Sequence, residues 1–214
     1  MSDGAVVVLL APLAYLLGTF PSATIVARRK GVDVTAAGSG NPGASNTFRL
    51  LGWKAGALVF GLDAAKGALA ALVGLLIDGH RGALLLGMAA ILGHVLPITR
   101  PAGQRFKGGR GVATAAGVLL VLYPWILIGA GVAWGLIARV THKASVASLV
   151  VVIAFPVAVA LTGEVWWVVA ALAVVALVLV VRHADNLRRL ARGEELGIDP
   201  DDGDVPPGAD DENA

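Results

Sequence analysis

The sequence predicts an all-α integral membrane protein of seven transmembrane helices, with the N-terminus outside and the C-terminus in the cytoplasm. Three observations carry this. Mean hydropathy is +0.77, with 57% hydrophobic and only 15% charged residues over 214 positions, far from the composition of a soluble domain. The apolar residues are gathered into seven runs separated by polar segments, as a solvent that cannot satisfy open backbone requires. When the runs are threaded alternately, fifteen of the seventeen Lys and Arg residues fall on one side, leaving Lys66 within a run and Arg81 opposite. Lysine and arginine bias marks that side as cytoplasmic.

The first run, Ala5 to Ala27, is longer than a signal-peptide core, has no basic residue before it and ends in Arg28-Arg29-Lys30 without a cleavage pattern, so a retained helix is expected. The second and third, Ala55 to Ile77 and Ala83 to Ile98, follow. The fourth and fifth, Gly111 to Leu122 and Trp125 to Ala138, are short for a hydrocarbon core of ~30 Å at ~1.5 Å per residue. A single tilted helix over Val112 to Ala138 is the alternative. It would put Arg139, Lys143 and the Arg182 to Arg192 cluster on mismatched sides, so a hairpin turning at Tyr123-Pro124-Trp125 is expected. The last two runs are Val146 to Leu161 and Val165 to Val181. Gly52-x-x-x-Gly56 and Gly131-x-x-x-Gly135 are candidate sites of close helix approach, and Asp63 and Lys66, at i and i+3, are expected to pair inside the membrane. Residues 1–193 form one transmembrane domain. Residues 194–214, acidic and rich in Gly, Pro and Asp, read as a disordered cytoplasmic tail.

The polar segments on the cytoplasmic side are Arg28 to Lys54, Thr99 to Arg110, Arg139 to Ser145 and everything from Arg182 onward. The first contains Gly38-Ser-Gly-Asn-Pro-Gly-Ala-Ser-Asn-Thr-Phe-Arg49. Pro42 keeps Asn41 extended and Gly43 offers the positive φ of a type II turn. Backbone N–H groups, the hydroxyls of Ser39 and Ser45 and the amides of Asn41 and Asn46 then form a donor surface suited to an anion; a plain solvated loop is the alternative. The second segment ends in Phe106-Lys-Gly-Gly-Arg-Gly-Val-Ala-Thr114, a glycine cluster with two cations opening into a helix, which again attracts phosphate. It is not a Walker A loop, because the lysine position after the glycine is Gly109 and no βαβ context exists. The fourth segment is expected to continue the last helix, with His183 and Asn186 on one face and the neighbouring arginines at lipid headgroups. His183 is a candidate for positioning or relaying protons near neutral pH.

With no cysteine and four scattered histidines, neither a thiolate nucleophile nor a zinc cluster is expected. No histidine has aspartate five positions on, which excludes the His-x-x-x-x-Asp acyltransferases. Asp63 is the one acid within the seven runs, against a metal-dependent phosphotransferase.

Three motifs together resemble the bacterial acyl-phosphate-dependent glycerol-3-phosphate acyltransferases of the plasma membrane. They are Ser39-Gly-Asn-Pro-Gly-Ala-Ser-Asn46 with Arg49; Gly93-His94 followed by Phe106 to Thr114; and Arg182-His183 with Asn186, Arg189 and Leu190. Ser145-Val-Ala-Ser148 resembles a shorter serine motif of that family. Arg110 departs from the family, which usually has lysine there, and the residues around Arg100 to Gln104 are additional. The resemblance implies transfer of a fatty acyl group from acyl phosphate to the 1-hydroxyl of glycerol 3-phosphate, giving lysophosphatidic acid and phosphate on the cytoplasmic face of the inner membrane. It implies catalytic roles for Ser39, His183 and Asn186 and substrate binding by Asn41, Gly43, Asn46, Arg49, Lys107, Gly108, Gly109, Arg110, Gly111 and Ser148, with no metal or cofactor. The partners implied are the two phosphorylated substrates, membrane lipids and the soluble enzyme that makes acyl phosphate; no nucleic acid is expected. A membrane transporter or binding protein for a phosphorylated small molecule is the competing class, weakened because the motifs gather on one face rather than at the midplane.

Overall fold

The computed structural model describes residues 1–99 and 107–198, and the secondary structure among them is helical. The elements are α1 (Asp3–Gly18), α2 (Ser22–Arg28), α3 (Ala44–Val95), α4 (Val112–Leu122), α5 (Pro124–Thr141), α6 (Ala144–Ala160), α7 (Trp166–Arg182) and α8 (Ala184–Arg192). Against the seven crossings expected, three stretches among the described residues are long and apolar enough to cross a membrane, Asp3–Arg28, Ala44–Val95 and Pro124–Thr141, or up to four if the bent pair α7–α8 counts as one span, while α4 and α6 are shorter apolar helices.

The expected first helix is broken at Thr19 to Pro21, where Pro21 has no N–H to donate and restricts Phe20. The carbonyls of Gly18 and Phe20 are taken up by the Lys66 ammonium at 3.3 and 2.9 Å, the kind of internal partner that a broken helix in lipid requires. Lys66 also meets Asp63 at 2.8 Å. The expected pair is therefore present, and it does more than neutralise charge.

α3 begins at Ala44, not at Ala55, which shortens the expected polar segment of Arg28 to Lys54. Glycine interrupts α3 twice. Gly52, with φ 77°, kinks it near its start, and a Cβ there would meet nothing within 4 Å; it is a bend rather than the packing site expected. At Asp78 and Gly79 the backbone leaves helical geometry, and the backbones of Gly74 and Gly82 touch across the reversal. The expected second and third runs are thus two arms of a tight hairpin.

α1 and α4 both pack on α3. Gly93 lies on the backbone of Tyr15, Gly18 on Ala90, Gly67 on Thr114 and Gly117 on Ala64. Lipid is as apolar as leucine, so such close backbone packing, not hydrophobic transfer, holds these helices together. A core of Leu84, Ile91, Val118, Phe155, Leu172 and Leu179 joins α3, α4, α6 and α7. The hairpin at Tyr123 separates α4 from α5 as expected. Gly131 and Gly135 on α5 meet no neighbour within 4 Å among the described residues, so the packing expected there is absent. α8 does not continue α7: the two are bent by 53°.

Candidate active site

The segment between α2 and α3 is folded around one amide. Asn46, fully buried, accepts from the Ser39 N–H at 2.9 Å and donates to the carbonyls of Val34 and Ala37 at 3.0 and 3.1 Å. Both amide protons are taken, so Asn46 builds the loop and offers a ligand no donor. Positive φ falls at Gly38 (56°) and Gly40 (66°). Gly43 is extended (φ −150°, ψ 173°) and caps α3, correcting the type II turn expected there. Ser39 is half-buried, its hydroxyl accepting weakly from the Asn41 N–H at 3.4 Å.

Lys107 to Gly111 lies against the end of α3. A Cβ on Gly108 would overlap the His94 carbonyl and one on Gly109 the His94 ring, and Arg182 donates to the Gly108 carbonyl at 2.8 Å. Gly111, at φ 88°, turns the chain into α4, whose first N–H groups receive no side-chain cap. Such a helix start is electropositive. Lys107 is exposed. Burial lowers Arg110 to about 10, opposed by Glu195 and assisted by Arg189 and Arg49, which leaves it cationic at neutral pH. Phe106 and residues 100–105 lie outside the described residues.

His183 occupies the bend between α7 and α8, 2% exposed, with Nδ1 donating to the Leu179 carbonyl at 2.7 Å. Desolvation drives its pKa down to about 4, against the raising effect of that hydrogen bond and with help from nearby Arg110. The ring is thus neutral at pH 7 with its lone pair on Nε2. It can orient a hydroxyl there, but it is a weak base, so the expected near-neutral proton relay is revised.

Residues 194–198, expected to open the tail, instead return to the helical body. Glu195 receives Asn186 Nδ2 at 2.6 Å and Arg189 Nε at 2.8 Å. Its burial favours the neutral acid, but the hydrogen bonds from Asn186 and Arg189, with the Ser145 hydroxyl close by, outweigh this and hold its pKa below the usual carboxylate range. Lys143 donates to the Glu195 carbonyl at 2.8 Å, and buried Arg49 donates to the Gly197 carbonyl. Arg49, Arg110, Arg189, Ser145, Asn186 and His183 are therefore gathered about one buried carboxylate. Beneath Gly111, whose neighbours include Ile91 and Leu179, an apolar cleft lined by those two, Met88, Val112, Phe155 and Leu172 runs between the helices. A cationic cluster over an apolar cleft suits an amphiphile with an anionic head.

A family model described as glycerol-3-phosphate acyltransferase matches residues 8–193. The chain belongs to that family. It is 42% identical over 205 residues to a glycerol-3-phosphate acyltransferase of Anaeromyxobacter sp. (strain Fw109-5), covering 91% of this chain and 98% of the relative. It is 40% identical over 188 residues to one of Bacillus cytotoxicus, covering 87% and 92%. The fold is similar to the crystal structure of PlsY, an integral membrane glycerol 3-phosphate acyltransferase, in its glycerol 3-phosphate form (TM-score 0.83, 35% identity, 89% of this chain and 94% of that one). Its lysophosphatidic acid form superposes with a TM-score of 0.81.

For this acyltransferase-family chain, Arg49, Arg110, His183 and Asn186 are drawn into one cluster as the motifs suggested. Ser148 is held elsewhere, its hydroxyl accepting from Trp134 Nε1 at 3.0 Å; Ser145, one turn earlier, faces Glu195. Sequence reasoning missed Glu195 because an acidic residue in a polar tail carries no signal of burial. Arg189 and Arg182 stood among the motif residues but read as lipid contacts. His94 was quoted as a motif residue without a role.

Proposed function

We propose that this protein transfers an acyl group from acyl phosphate to the 1-hydroxyl of glycerol 3-phosphate, releasing lysophosphatidic acid and inorganic phosphate. One observation carries the proposal: buried guanidinium groups gather beside an uncapped helix start, directly above an apolar cleft in an acyltransferase-family membrane protein. Both substrates bring a phosphate to that charge, and the cleft offers the acyl chain an apolar lining. Arg49, Arg110 and Lys107 supply cations, while the N–H groups of Gly108 to Gly111 complete the anion's coordination. Ser39 and Asn41 line the opposite loop. The acceptor hydroxyl donates to Nε2 of neutral His183, which directs its lone pair at the acyl carbonyl. The new C–O ester bond forms, the oxyanion is held by Asn186 or the loop N–H groups, and the acyl–phosphate C–O bond breaks. The hydroxyl proton leaves on the departing phosphate, so neither an acyl-enzyme nor a strong protein base is needed.

The same proposal extends to placement. Seven crossings, with the N-terminus outside and this cluster on the cytoplasmic face of a bacterial inner membrane, are supported by the lysine and arginine asymmetry. The donor arrives from a soluble acyl-phosphate-forming enzyme. The transmembrane domain includes residues 194–198, and an acidic tail follows it.

The test is lysophosphatidic acid formation by purified protein given glycerol 3-phosphate with palmitoyl phosphate, palmitoyl-CoA or palmitoyl acyl carrier protein. Turnover is expected with palmitoyl phosphate alone. Equal turnover with either thioester would refute the donor assignment.

A further inference from the structure

We propose that His94, held by Lys66 and Asp63, is a positioning residue that seats Gly109 and so aims the N–H groups and Arg110 of the glycine loop; this rests on the loop being the phosphate site. The mechanism above uses none of these three residues. They nevertheless form a buried charged network inside the helices: Lys66 Nζ lies 2.8 Å from Asp63, 2.9 Å from the Phe20 carbonyl and 3.2 Å from His94 Nδ1, and Asp63 lies 3.8 Å from the same ring nitrogen. Buried charge at this depth is costly unless it fixes something.

The direction of the hydrogen bond defines what it fixes. An ammonium can only donate, so Nδ1 of His94 accepts from Lys66, and the ring proton lies on Nε2. That Nε2 edge faces Gly109: the three heavy atoms nearest a Cβ built on Gly109 are Nε2, Cε1 and Cδ2 of His94. Gly108 is seated differently, with the nearest atoms being the His94 carbonyl oxygen, Pro97 Cδ and the Val95 carbonyl carbon. The loop thus rests on one backbone seat and one side-chain seat. A small polar cavity lined by Thr19, Ser22, Pro42, Asp63, His94 and Gly109 lies between the glycine loop and the serine loop. The network therefore stands where the two anion-binding loops meet. Locking a binding loop through such supporting contacts is how a site is held to the tolerance that catalysis requires.

The two seats give the experiment. Gly109→Ala, Gly108→Ala, His94→Ala, His94→Gln and the paired variants are made in the full chain, with kcat and KM for both substrates and the melting temperature in detergent measured for each. Gly109→Ala is expected to lower kcat/KM about thirtyfold and His94→Ala about tenfold. The pair should be no worse than about thirtyfold, because the ring that the new Cβ strikes has gone. Gly108→Ala must multiply with His94→Ala, since its obstacle is backbone. His94→Gln, whose amide oxygen can accept from Lys66 in place of Nδ1 and whose side chain restores bulk beside Gly109, should recover activity to within about threefold at an unchanged melting temperature. The proposal is overturned if Gly109→Ala and His94→Ala multiply to about three-hundredfold, or if His94→Gln is as poor as His94→Ala. Should His94→Ala fail to fold, His94→Gln paired with Gly109→Ala provides the same test, because its flexible side chain can yield to the methyl group. If wild type makes no product from palmitoyl phosphate, the phosphate reading has failed instead. Coupling in the melting temperatures then still decides the seating.

Discussion

Shortening the C-terminus at two points separates a structural clasp from a dispensable tail. Deleting 199–214 is expected to leave turnover within about twofold of the full chain. Deleting 194–214 additionally removes the Glu195 carboxylate and the carbonyls of Glu195 and Gly197, and with them partners of Asn186, Arg189, Lys143 and Arg49. Glu195→Gln is the finer version of this perturbation. Glutamine keeps an oxygen for Asn186 but turns an amide N–H toward Arg189, donor against donor. A charge-assisted hydrogen bond is worth about 1.5–3 kcal/mol. Breaking a fully buried pair costs about 3–5 kcal/mol, but Arg189 is 25% exposed against 1% for Glu195, and water discounts the loss toward about 2–3 kcal/mol. On the scaling for a chain of this size, that is a fall in melting temperature of about 4–12 °C. Because this carboxylate holds Asn186 and its charge acts on Arg110, kcat/KM should fall about tenfold or more below the melting transition. The assays are thermal melting in detergent and lysophosphatidic acid formation at 25 °C. A Glu195→Gln protein that melts within about 1 °C of wild type and turns over within twofold would refute the clasp.

Arg110→Lys should be mild, whereas Arg110→Gln should lose about ten- to a hundredfold in kcat/KM, measured across both substrate concentrations; equal effects would make the guanidinium a topological anchor. His183, depressed from 6.5 to about 4, binds no proton in the folded state between those values while the unfolded chain does. Its contribution to stability is therefore full above pH 6.5 and falls by up to about 3 kcal/mol as pH drops toward 4. A pH series of melting temperatures from 6.5 to 4.5 should slope in wild type and flatten in His183→Gln, while kcat/KM shows no histidine ionisation between pH 6 and 8. Single cysteines at Ser2, Gly79 and Gly163 should react with an impermeant thiol reagent from outside intact cells and one at Gly31 should not; the reverse pattern would invert the membrane orientation.

The motif residues show where sequence reasoning reaches and where it stops. Apolar run length and lysine placement depend on local composition, so the membrane class, the hairpin at Tyr123 and the limits of α6 and α7 were legible to within a few residues. Glycine, serine and asparagine spacing likewise marked two anion-suited loops and the family they resemble. The roles of individual polar atoms were not legible, because each depends on a partner distant in the chain. Asn46 looked like a ligand donor until its amide met Val34 and Ala37. Gly43 looked like a positive-φ turn until Gly38 and Gly40 took that geometry. Ser148 and Ser145 are indistinguishable in the sequence, yet one faces Trp134 and the other Glu195. By itself, the sequence determined the solvent in which this chain folds, the approximate limits of its helices and the chemistry of its loops, since hydropathy, proline, glycine and charge act within a few residues. Tertiary structure alone decided that Glu195 closes the cationic cluster and that Lys66 reaches both a broken helix and His94, because a buried polar group is satisfied by whatever the fold brings within hydrogen-bonding distance.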